Sequence, residues 1–354
     1  MTAPVALQTL SEEIDAALAT TLDRLLPRLV EHHPTLVPVA DELRGFLGGG
    51  KRIRPALLLL GFEAAGGTDR ARVMGPALAL ELLHTCALVH DDVIDRAPRR
   101  RGRATVHRRF AELHRAEGFS GDADAYGEAV AILVGDLAFV HADELFLDAE
   151  VPAERLLAAL RAFVELREEV MAGQYLDLHA AVSAATDRAT ALTVATLKSG
   201  RYTVARPLQL GAVLAGAEEQ LVAGLGRFGD PLGRAFQVTD DLLGVFGDQQ
   251  ATGKSVASDL AEGKRTLLVA ETAARLGTED LAAFEAGLGD PGLDAAGAQR
   301  LRELMERSGA RTAAEEYVAE AVAEARGCLA ELDLPPTSHE ALSALAGYLG
   351  ARST

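Results

Sequence analysis

Two pairs of adjacent aspartates occur far apart in the chain, each within an apolar stretch. Asp91 and Asp92 follow Leu88-Val89, and Asp95 comes one helical turn after Asp91. On a helix, side chains four positions apart share a face, with about 5–6 Å between their Cβ atoms. Carboxylates this close repel unless a cation lies between them, and Mg²⁺ prefers such oxygen ligands together with substrate phosphates. A bound Mg²⁺ is therefore favoured over a solvated acidic helix end.

The second pair, Asp240-Asp241, leads into Leu242-Leu243-Gly244 and follows the apolar residues Phe236 and Val238. Burying a carboxylate among such residues is costly unless the charge has a partner. Two aspartate pairs on predicted buried helices indicate facing walls of one cavity. Asp248 lies about 12 Å further along the same helical axis and is interpreted as a cap or surface acid.

Basic residues cluster beside both aspartate pairs, at Lys51-Arg52-Ile53-Arg54, Arg99–Arg103, Lys254 and Lys264-Arg265. Each run alone is typical of a solvated surface. Together they stand out, because 35 lysines and arginines face 52 aspartates and glutamates, which gives a net charge of −17. Carboxylates that bind Mg²⁺ within a ring of arginine and lysine form a site for two polyphosphate groups.

Single polar residues on apolar helices are weaker signals. His84 lies two turns before Asp91 on the same helical face. It is predicted to bind phosphate, although a lone helical histidine is commonly a satisfied core residue. The pattern alone assigns no role to Lys198-Ser199 or Gln237.

Composition favours helices and excludes several functional classes. Hydrophobic residues make up 49% of the 354 residues, aromatic residues only 5%, and Trp is absent. This mixture favours helix over strand. The net negative charge of the chain argues against nucleic-acid binding. The two cysteines, Cys86 and Cys328, give neither a disulfide framework nor a zinc ribbon. No secretory signal and no uncharged apolar run of membrane-spanning length is visible, so a soluble, cytoplasmic protein is expected.

Periodicity predicts helices nearly throughout the chain. The expected loops are the arginine-rich segment 96–103 and the polar segment 115–127. No linker divides the sequence, so one all-α domain over 1–354 is predicted, with residues 1–8 disordered. The predicted helices cover 10–31, a segment ending at Phe46, 73–94, 128–148, 153–182, 187–204, 218–246 and a stretch from about Thr266.

Three motifs in this order resemble those of the trans-isoprenyl diphosphate synthases, and of geranylgeranyl diphosphate synthases in particular. The family's first aspartate-rich motif is similar to Leu88-Val89-His90-Asp91-Asp92-Val93-Ile94-Asp95 followed by Arg100-Arg101-Gly102. Its second is similar to Gly233-Arg234-Ala235-Phe236-Gln237-Val238-Thr239-Asp240-Asp241-Leu242, and its basic motif to Gly49-Gly50-Lys51-Arg52-Ile53-Arg54-Pro55. Any one match is moderately specific, and all three in order are highly specific.

The resemblance implies a single large helical bundle around a deep central cavity, usually a homodimer. It implies the head-to-tail condensation of isopentenyl diphosphate with an allylic diphosphate, assisted by about three Mg²⁺ ions. The implied metal ligands are Asp91, Asp95 and Asp240, and Asp92 and Asp241 are counted with the catalytic residues. The residues implied for the allylic diphosphate are Arg100, Lys198, Lys254 and Lys264. Those implied for isopentenyl diphosphate are Lys51, Arg54, His84 and Arg101. Ser199 and Gln237 would face the developing carbocation.

One position departs from the family pattern, and two other activities compete. Gly244 stands where many members carry Asp, which puts the contribution of that position in doubt. A class I terpene cyclase also uses a DDxxD motif, but it needs no second diphosphate site. A non-catalytic subunit of a heteromeric synthase would be expected to lose one of the two motifs, and both are present.

Small residues before the first motif bear on product length. Ala87 and Cys86 lie four and five positions upstream of Asp91. In the resembling family, bulky aromatic residues near this position stop the chain at C15, and small residues let it pass. Leu83 comes one turn further and is large enough to obstruct a longer tail. The predicted product is geranylgeranyl diphosphate (C20), with C25–C35 left open.

Overall fold

The computed structural model describes residues 4–183, 187–247, 258–290 and 292–350. Helices form nearly all of these ranges, which confirms the predicted all-α class. The sheet found in them is one antiparallel hairpin, β1 (Arg99–Arg100) and β2 (Arg103–Ala104). A chain rich in leucine and alanine and poor in aromatic residues has few residues that prefer strands.

The helices follow one another with short connections. In chain order they are α1 (Val5–His32), α2 (Val37–Leu47), α3 (Ile53–Ala64), α4 (Met74–Ile94), α5 (Val106–Ala116), α6 (Ala123–Leu147), α7 (Ala153–Ser183), α8 (Arg188–Val194), α9 (Arg206–Ala215), α10 (Glu219–Phe246), α11 (Ser258–Ala261), α12 (Leu267–Arg275), α13 (Thr278–Gly287), α14 (Ala295–Arg307), α15 (Ala310–Ala330) and α16 (Pro336–Gly350). Two 3₁₀ turns, Pro34–Leu36 and Arg70–Val73, and a π-helix, Ala195–Ala205, complete the set.

Three boundaries differ from those expected. Residues 5–8 are helical rather than disordered, because Leu7 is buried and fixes the first turn of α1. The segment expected as a loop over 96–103 contains the hairpin. The expected loop 115–127 is shorter, since Asp122 Oδ1 accepts hydrogen bonds from the backbone N–H groups of Asp124 and Ala125 and starts α6 early.

Backbone contacts divide the chain into two compact units. The N-terminal unit comprises Val5–Leu59 and Thr68–Leu156. The C-terminal unit comprises Leu60–Gly67 and Leu157–Thr354, together with Met1–Pro4. Each unit carries one of the two aspartate pairs. The expected single domain over 1–354 stays a prediction.

Helix α4 is the buried centre of the N-terminal unit and packs along α6. Together with the turn before it, the segment Arg70–Ile94 is long and apolar enough to cross a membrane, alone among the helices described. Inside the protein, 67% of its most apolar window is buried. An apolar helix with most of its surface covered by protein is typical of a core element.

Helix α10 is the buried centre of the C-terminal unit, as α4 is of the N-terminal unit. It packs against the π-helix, α9 and α15, and its buried residues include Phe228, Leu232 and Val238. The second aspartate pair therefore emerges from a helix whose other faces are fixed by neighbours. Both aspartate motifs lie near the C-terminal ends of their helices, and the apolar flanks had predicted that these helices are buried.

Candidate active site

The first aspartate pair lies at the end of α4. Asp95 is the C-cap residue, and its backbone N–H donates to the carbonyl oxygen of Asp91 at 2.8 Å. The side chain of Asp91 is 20% exposed, and Asp95 is half-buried. Both carboxylates therefore remain accessible while the backbone that carries them is held by the helix.

Asp92 differs from its neighbours because its side chain is almost fully buried. Arg100 donates from Nε to Asp92 Oδ1 at 2.8 Å, and its Nη2 lies 2.7 Å from the same oxygen. The hairpin turn positions Arg100, with Arg101 and Gly102 at φ of 50° and 76°. Nη2 of Arg100 also lies 3.8 Å from Asp91 Oδ2. Asp92 thus orients Arg100 beside the carboxylate of Asp91.

His84 lies two turns before Asp91, within a cluster of arginines. Burial is the largest cause that holds the pKa of His84 well below its ordinary value, and nearby guanidinium groups add to the effect. A neutral imidazole surrounded by cations is a suitable partner for an anion. The arginines that depress this pKa are Arg54, Arg101, Arg100 and Arg52.

The residues of the basic motif at the start of α3 differ in burial. Arg52 has φ of 47° and a side chain only 3% exposed, which donates to Asp15, Glu81 and the carbonyl oxygen of Leu47. Lys51 is exposed and Arg54 is half-buried. Arg52 is therefore a positioning residue, and sequence spacing alone gave no sign that it points into the core.

The residues expected to set product length lie within one turn of α4 and differ in burial. Leu83 and Cys86 are buried, whereas Ala87 is half-buried. The Cys86 thiol lies 3.7 Å from His90 Nδ1. Burial raises the pKa of the Cys86 thiol to about 12, and the charge of Asp136 acts in the same direction. The Cys86 thiol is thus uncharged, and Ala87 is the more accessible of the two small residues.

In the second aspartate pair, as in the first, one carboxylate is more exposed than the other. Asp240 is exposed, while Asp241 is half-buried and accepts a hydrogen bond from Gln237 Nε2 at 2.7 Å. This bond fixes the direction of the Gln237 amide. Gly244, one turn after Asp240, is half-buried and supplies no side-chain ligand. Asp240 is accordingly the more accessible carboxylate of this pair.

Lys198 and Ser199 lie in the π-helix, where sequence periodicity predicted an ordinary helix over 187–204. Such departures from the α-helix are frequent at functional sites. Lys198 Nζ lies 2.6 Å from Asp177 Oδ2 on α7, and both side chains are partly buried. Sequence alone does not predict Asp177 as a site residue, because no local spacing links an acid on α7 to a lysine 21 residues later.

At two glycines, Gly173 and Gly233, neighbouring helices approach the backbone of the π-helix closely. A Cβ at Gly173 would lie 2.3 Å from the backbone nitrogen of Lys198, so α7 touches the π-helix backbone there. A Cβ at Gly233 would lie 2.3 Å from the carbonyl oxygen of Gly200. Close approach of α10 to the π-helix therefore requires glycine at this position.

The remaining predicted phosphate ligands follow α10. Lys264 Nζ lies 2.5 Å from Glu262 Oε2, so its ammonium group is held near the chain turn before α12. Lys254 and Asp248 fall outside the described residues. The facing of the two aspartate pairs across one cavity stays a prediction.

The donor set fits Mg²⁺ held jointly with substrate. Across 4–183, 187–247, 258–290 and 292–350, no three His, Cys, Asp or Glu residues form a cluster that could hold a metal ion unaided. Mg²⁺ commonly binds one or two carboxylates and completes its shell with phosphate oxygens and water. The accessible carboxylates of Asp91, Asp95 and Asp240 match that mode.

Comparison with known proteins agrees with this chemistry. A family model described as Polyprenyl synthetase matches residues 39–305. A short chain isoprenyl diphosphate synthase from Methanothermobacter thermautotrophicus is 32% identical over 344 residues, which cover 96% of this chain and 95% of the relative. A (2E,6E)-farnesyl diphosphate synthase from Mycobacterium bovis is 36% identical over 281 residues, which cover 79% of this chain and 67% of that enzyme.

A solved structure is similar over nearly the whole chain. Geranylgeranyl pyrophosphate synthase from Corynebacterium glutamicum, complexed with isoprenyl diphosphate and magnesium, superposes with a TM-score of 0.92 at 36% identity. The match covers 96% of this chain and 98% of the other. This chain belongs to the polyprenyl synthetase family and is a prenyltransferase. Enzymes of this class elongate prenyl chains.

Proposed function

We propose that this enzyme condenses isopentenyl diphosphate head-to-tail with an allylic diphosphate, in a Mg²⁺-dependent reaction that gives geranylgeranyl diphosphate. The observation that carries the proposal is the cluster of guanidinium groups around neutral His84, two turns from Asp91 on α4. A basic cluster beside accessible carboxylates suits one diphosphate that is bound directly and another that is bound through metal.

Each group of residues has a distinct task. Asp91, Asp95 and Asp240 hold about three Mg²⁺ ions together with the allylic diphosphate. When bound, the metal supplies positive charge that stabilises the diphosphate as its C–O bond ionises. Lys51, Arg54, His84 and Arg101 hold isopentenyl diphosphate. Arg100, Lys198, Lys254 and Lys264 bind the allylic diphosphate.

The neutral side chains of Gln237 and Ser199 act on the positive charge of the allylic cation. The Gln237 amide, whose nitrogen donates to Asp241, presents its carbonyl dipole in a fixed direction. Together with the Ser199 hydroxyl it faces the allylic cation, where an oriented dipole stabilises developing charge without reorganisation. The double bond of isopentenyl diphosphate attacks this cation, and the released diphosphate accepts the proton that is lost.

The C20 product rests on the wall formed by α4. Ala87 is half-buried and small, so it leaves room for a C15 chain to extend, whereas Leu83 is buried one turn further from Asp91. Ala87→Phe should fill the first level and shift the product toward C15, because overpacking a tight wall is costly to relieve. An unchanged product distribution in this variant, or C15 as the natural product, would contradict the assignment. Products of C25–C35 would show that Leu83 does not stop the chain.

Exposed apolar stripes support a homodimer. Leucine, valine and methionine side chains recur every seven residues on α6 and on α7, which gives each helix an uncovered apolar face. These residues are Leu133, Val140 and Leu147 on α6, and Leu157, Val164, Met171 and Leu178 on α7. Val140→Lys and Met171→Lys should lower the mass measured by sedimentation to that of one chain, whereas Glu128→Lys, an exposed α6 residue outside the stripe, should not. We place the enzyme in the cytoplasm.

The activity is tested by incubating the chain with isopentenyl diphosphate, an allylic primer and Mg²⁺, with EDTA in a parallel sample. A longer prenyl diphosphate with equimolar inorganic pyrophosphate, lost in EDTA, is expected. A hydrocarbon product would identify a class I terpene cyclase instead. No product at all would favour a non-catalytic subunit of a heteromeric synthase.

A further inference from the structure

An elongated groove runs along α15 in the C-terminal unit, where Thr239 and Leu243 of α10 line it beside the second aspartate pair. Its volume is about 770 Å³, which lies in the range of small-molecule sites. Helix α10 contributes Leu242, Leu243 and Phe246, and α16 contributes two glycines. None of the groove residues has a task in the proposed condensation. We call this feature the α15 groove.

One face of α15 gives the groove its shape. The lining positions are spaced at helical intervals from Arg311 to Arg326, a span of about 22 Å along the axis. Val318 and Val322 line the middle, and Ala319 and Ala323 leave space beside them. The groove is therefore long and apolar, with an arginine at each end.

The two arginines differ in charge compensation. Arg311 donates to Glu315 at 2.9 Å and to Glu306 at 3.3 Å, and its guanidinium lies 4.8 Å from the centre of the Phe246 ring. Arg326 is exposed and makes no ion pair or hydrogen bond with any described residue. Its Nη2 lies 3.5 Å from where a Cβ of Gly347 would stand. One end of the groove thus carries an uncompensated cation in a chain of net charge −17.

We propose that the α15 groove binds an amphipathic anion, a single apolar chain that ends in a phosphate or carboxylate group. The head contacts Arg326, where a charge-assisted hydrogen bond replaces solvent. The chain lies along Val322 and Val318 toward Phe246, where it removes apolar surface from water. A purely apolar ligand would leave the cation unused, and a small inorganic anion would leave the apolar wall exposed.

The test measures binding to the full chain by calorimetry, with Mg²⁺ and inorganic pyrophosphate present to occupy the diphosphate site. The probes are dodecyl phosphate, dodecanoate and uncharged dodecanol, each below the concentration at which it forms micelles. We expect one saturable site for both anions and at least tenfold weaker binding of dodecanol. The ratio of the two anion affinities distinguishes a phosphate head from a carboxylate head.

Matched variants locate the site. Arg326→Glu should weaken both anions at least tenfold, whereas Arg300→Glu, an exposed arginine of α14 outside the groove, should not. Ala323→Phe fills the groove and should abolish binding, whereas Ala344→Phe, exposed on α16 outside it, should not. Equal binding by Ala323→Phe and the natural chain, or no saturable binding, would overturn the proposal. Because no turnover is measured, failure of the proposed prenyl condensation does not affect this result.

Discussion

Arg52 and Glu81 form an ion pair inside the N-terminal unit, with Nη1 and Oε2 separated by 2.7 Å and the two side chains only 3% and 8% exposed. The pair joins the segment before α3 to the middle of α4. It therefore fixes the backbone between Lys51 and Arg54, the two residues of the basic motif that are assigned to substrate.

Breaking this pair should destabilise the fold strongly. Arg52→Ala leaves Glu81 buried without its partner, and we expect a loss of about 3–5 kcal/mol in the free energy of unfolding. Lys51→Ala, at the exposed neighbouring position, should change that free energy by no more than about 0.5 kcal/mol. Urea unfolding measures both.

The double variant Arg52→Met/Glu81→Leu separates charge burial from packing. Replacing both charges by apolar groups of similar volume should recover most of the lost stability. If Arg52→Ala unfolds at the same urea concentration as the natural chain, the ion pair has no structural role.

The depressed pKa of His84 predicts how stability depends on pH. The folded protein holds this imidazole neutral below the ordinary pKa of 6.5, so the unfolded chain binds more protons in that range. The contribution of neutral His84 is therefore present above pH 6.5 and is lost as the pH falls toward the folded pKa. The free energy of unfolding of His84→Gln should lack this loss of stability as the pH falls below 6.5.

The same residue offers a direct readout of phosphate binding. The pKa of His84, followed by nuclear magnetic resonance, should rise when isopentenyl diphosphate is added, because a bound anion stabilises the imidazolium form. A pKa of His84 that does not change with ligand would remove this residue from the diphosphate site.

The two diphosphates should respond to different cations. Lys51→Ala and Arg101→Ala should raise the KM for isopentenyl diphosphate, and Lys198→Ala the KM for the allylic substrate. Loss of a charge-assisted contact costs about 1.5–3 kcal/mol, or roughly 10- to 150-fold in affinity. Steady-state kinetics with one substrate varied at a time measures the separation. Equal effects of all three variants on both substrates would refute the division into two subsites.

Asp177 should act through Lys198. Their 2.6 Å contact directs the ammonium group, so Asp177→Asn should raise the KM for the allylic substrate without unfolding the protein. The effect should be smaller than that of Lys198→Ala, and the double variant should be no worse than Lys198→Ala alone. Additive effects would mean that Asp177 acts independently of Lys198.

The spacing of residues in the sequence predicted those features of the fold and the candidate site that depend on sequence neighbours. Helical periodicity placed both aspartate pairs on core helices, and the spacing of Asp91 and Asp95 gave their shared position at the end of α4. The inward turn of Arg52 and the Lys198–Asp177 contact were not predictable, because each depends on a partner from another helix. The π-helix was not predictable for a different reason, because its apolar residues follow a period close to that of an α-helix.

Incorporation of isotopically labelled isopentenyl diphosphate into a longer prenyl diphosphate is the direct test of the proposed condensation. With farnesyl diphosphate and Mg²⁺, the natural chain should give a C20 diphosphate that contains one labelled unit, identified by mass spectrometry. Asp91→Ala should give none while keeping the natural unfolding midpoint, since it removes a proposed metal ligand and relieves the repulsion between neighbouring carboxylates. Unchanged farnesyl diphosphate with the natural chain, or equal yields from the two proteins, would contradict the proposed condensation and the role of Asp91.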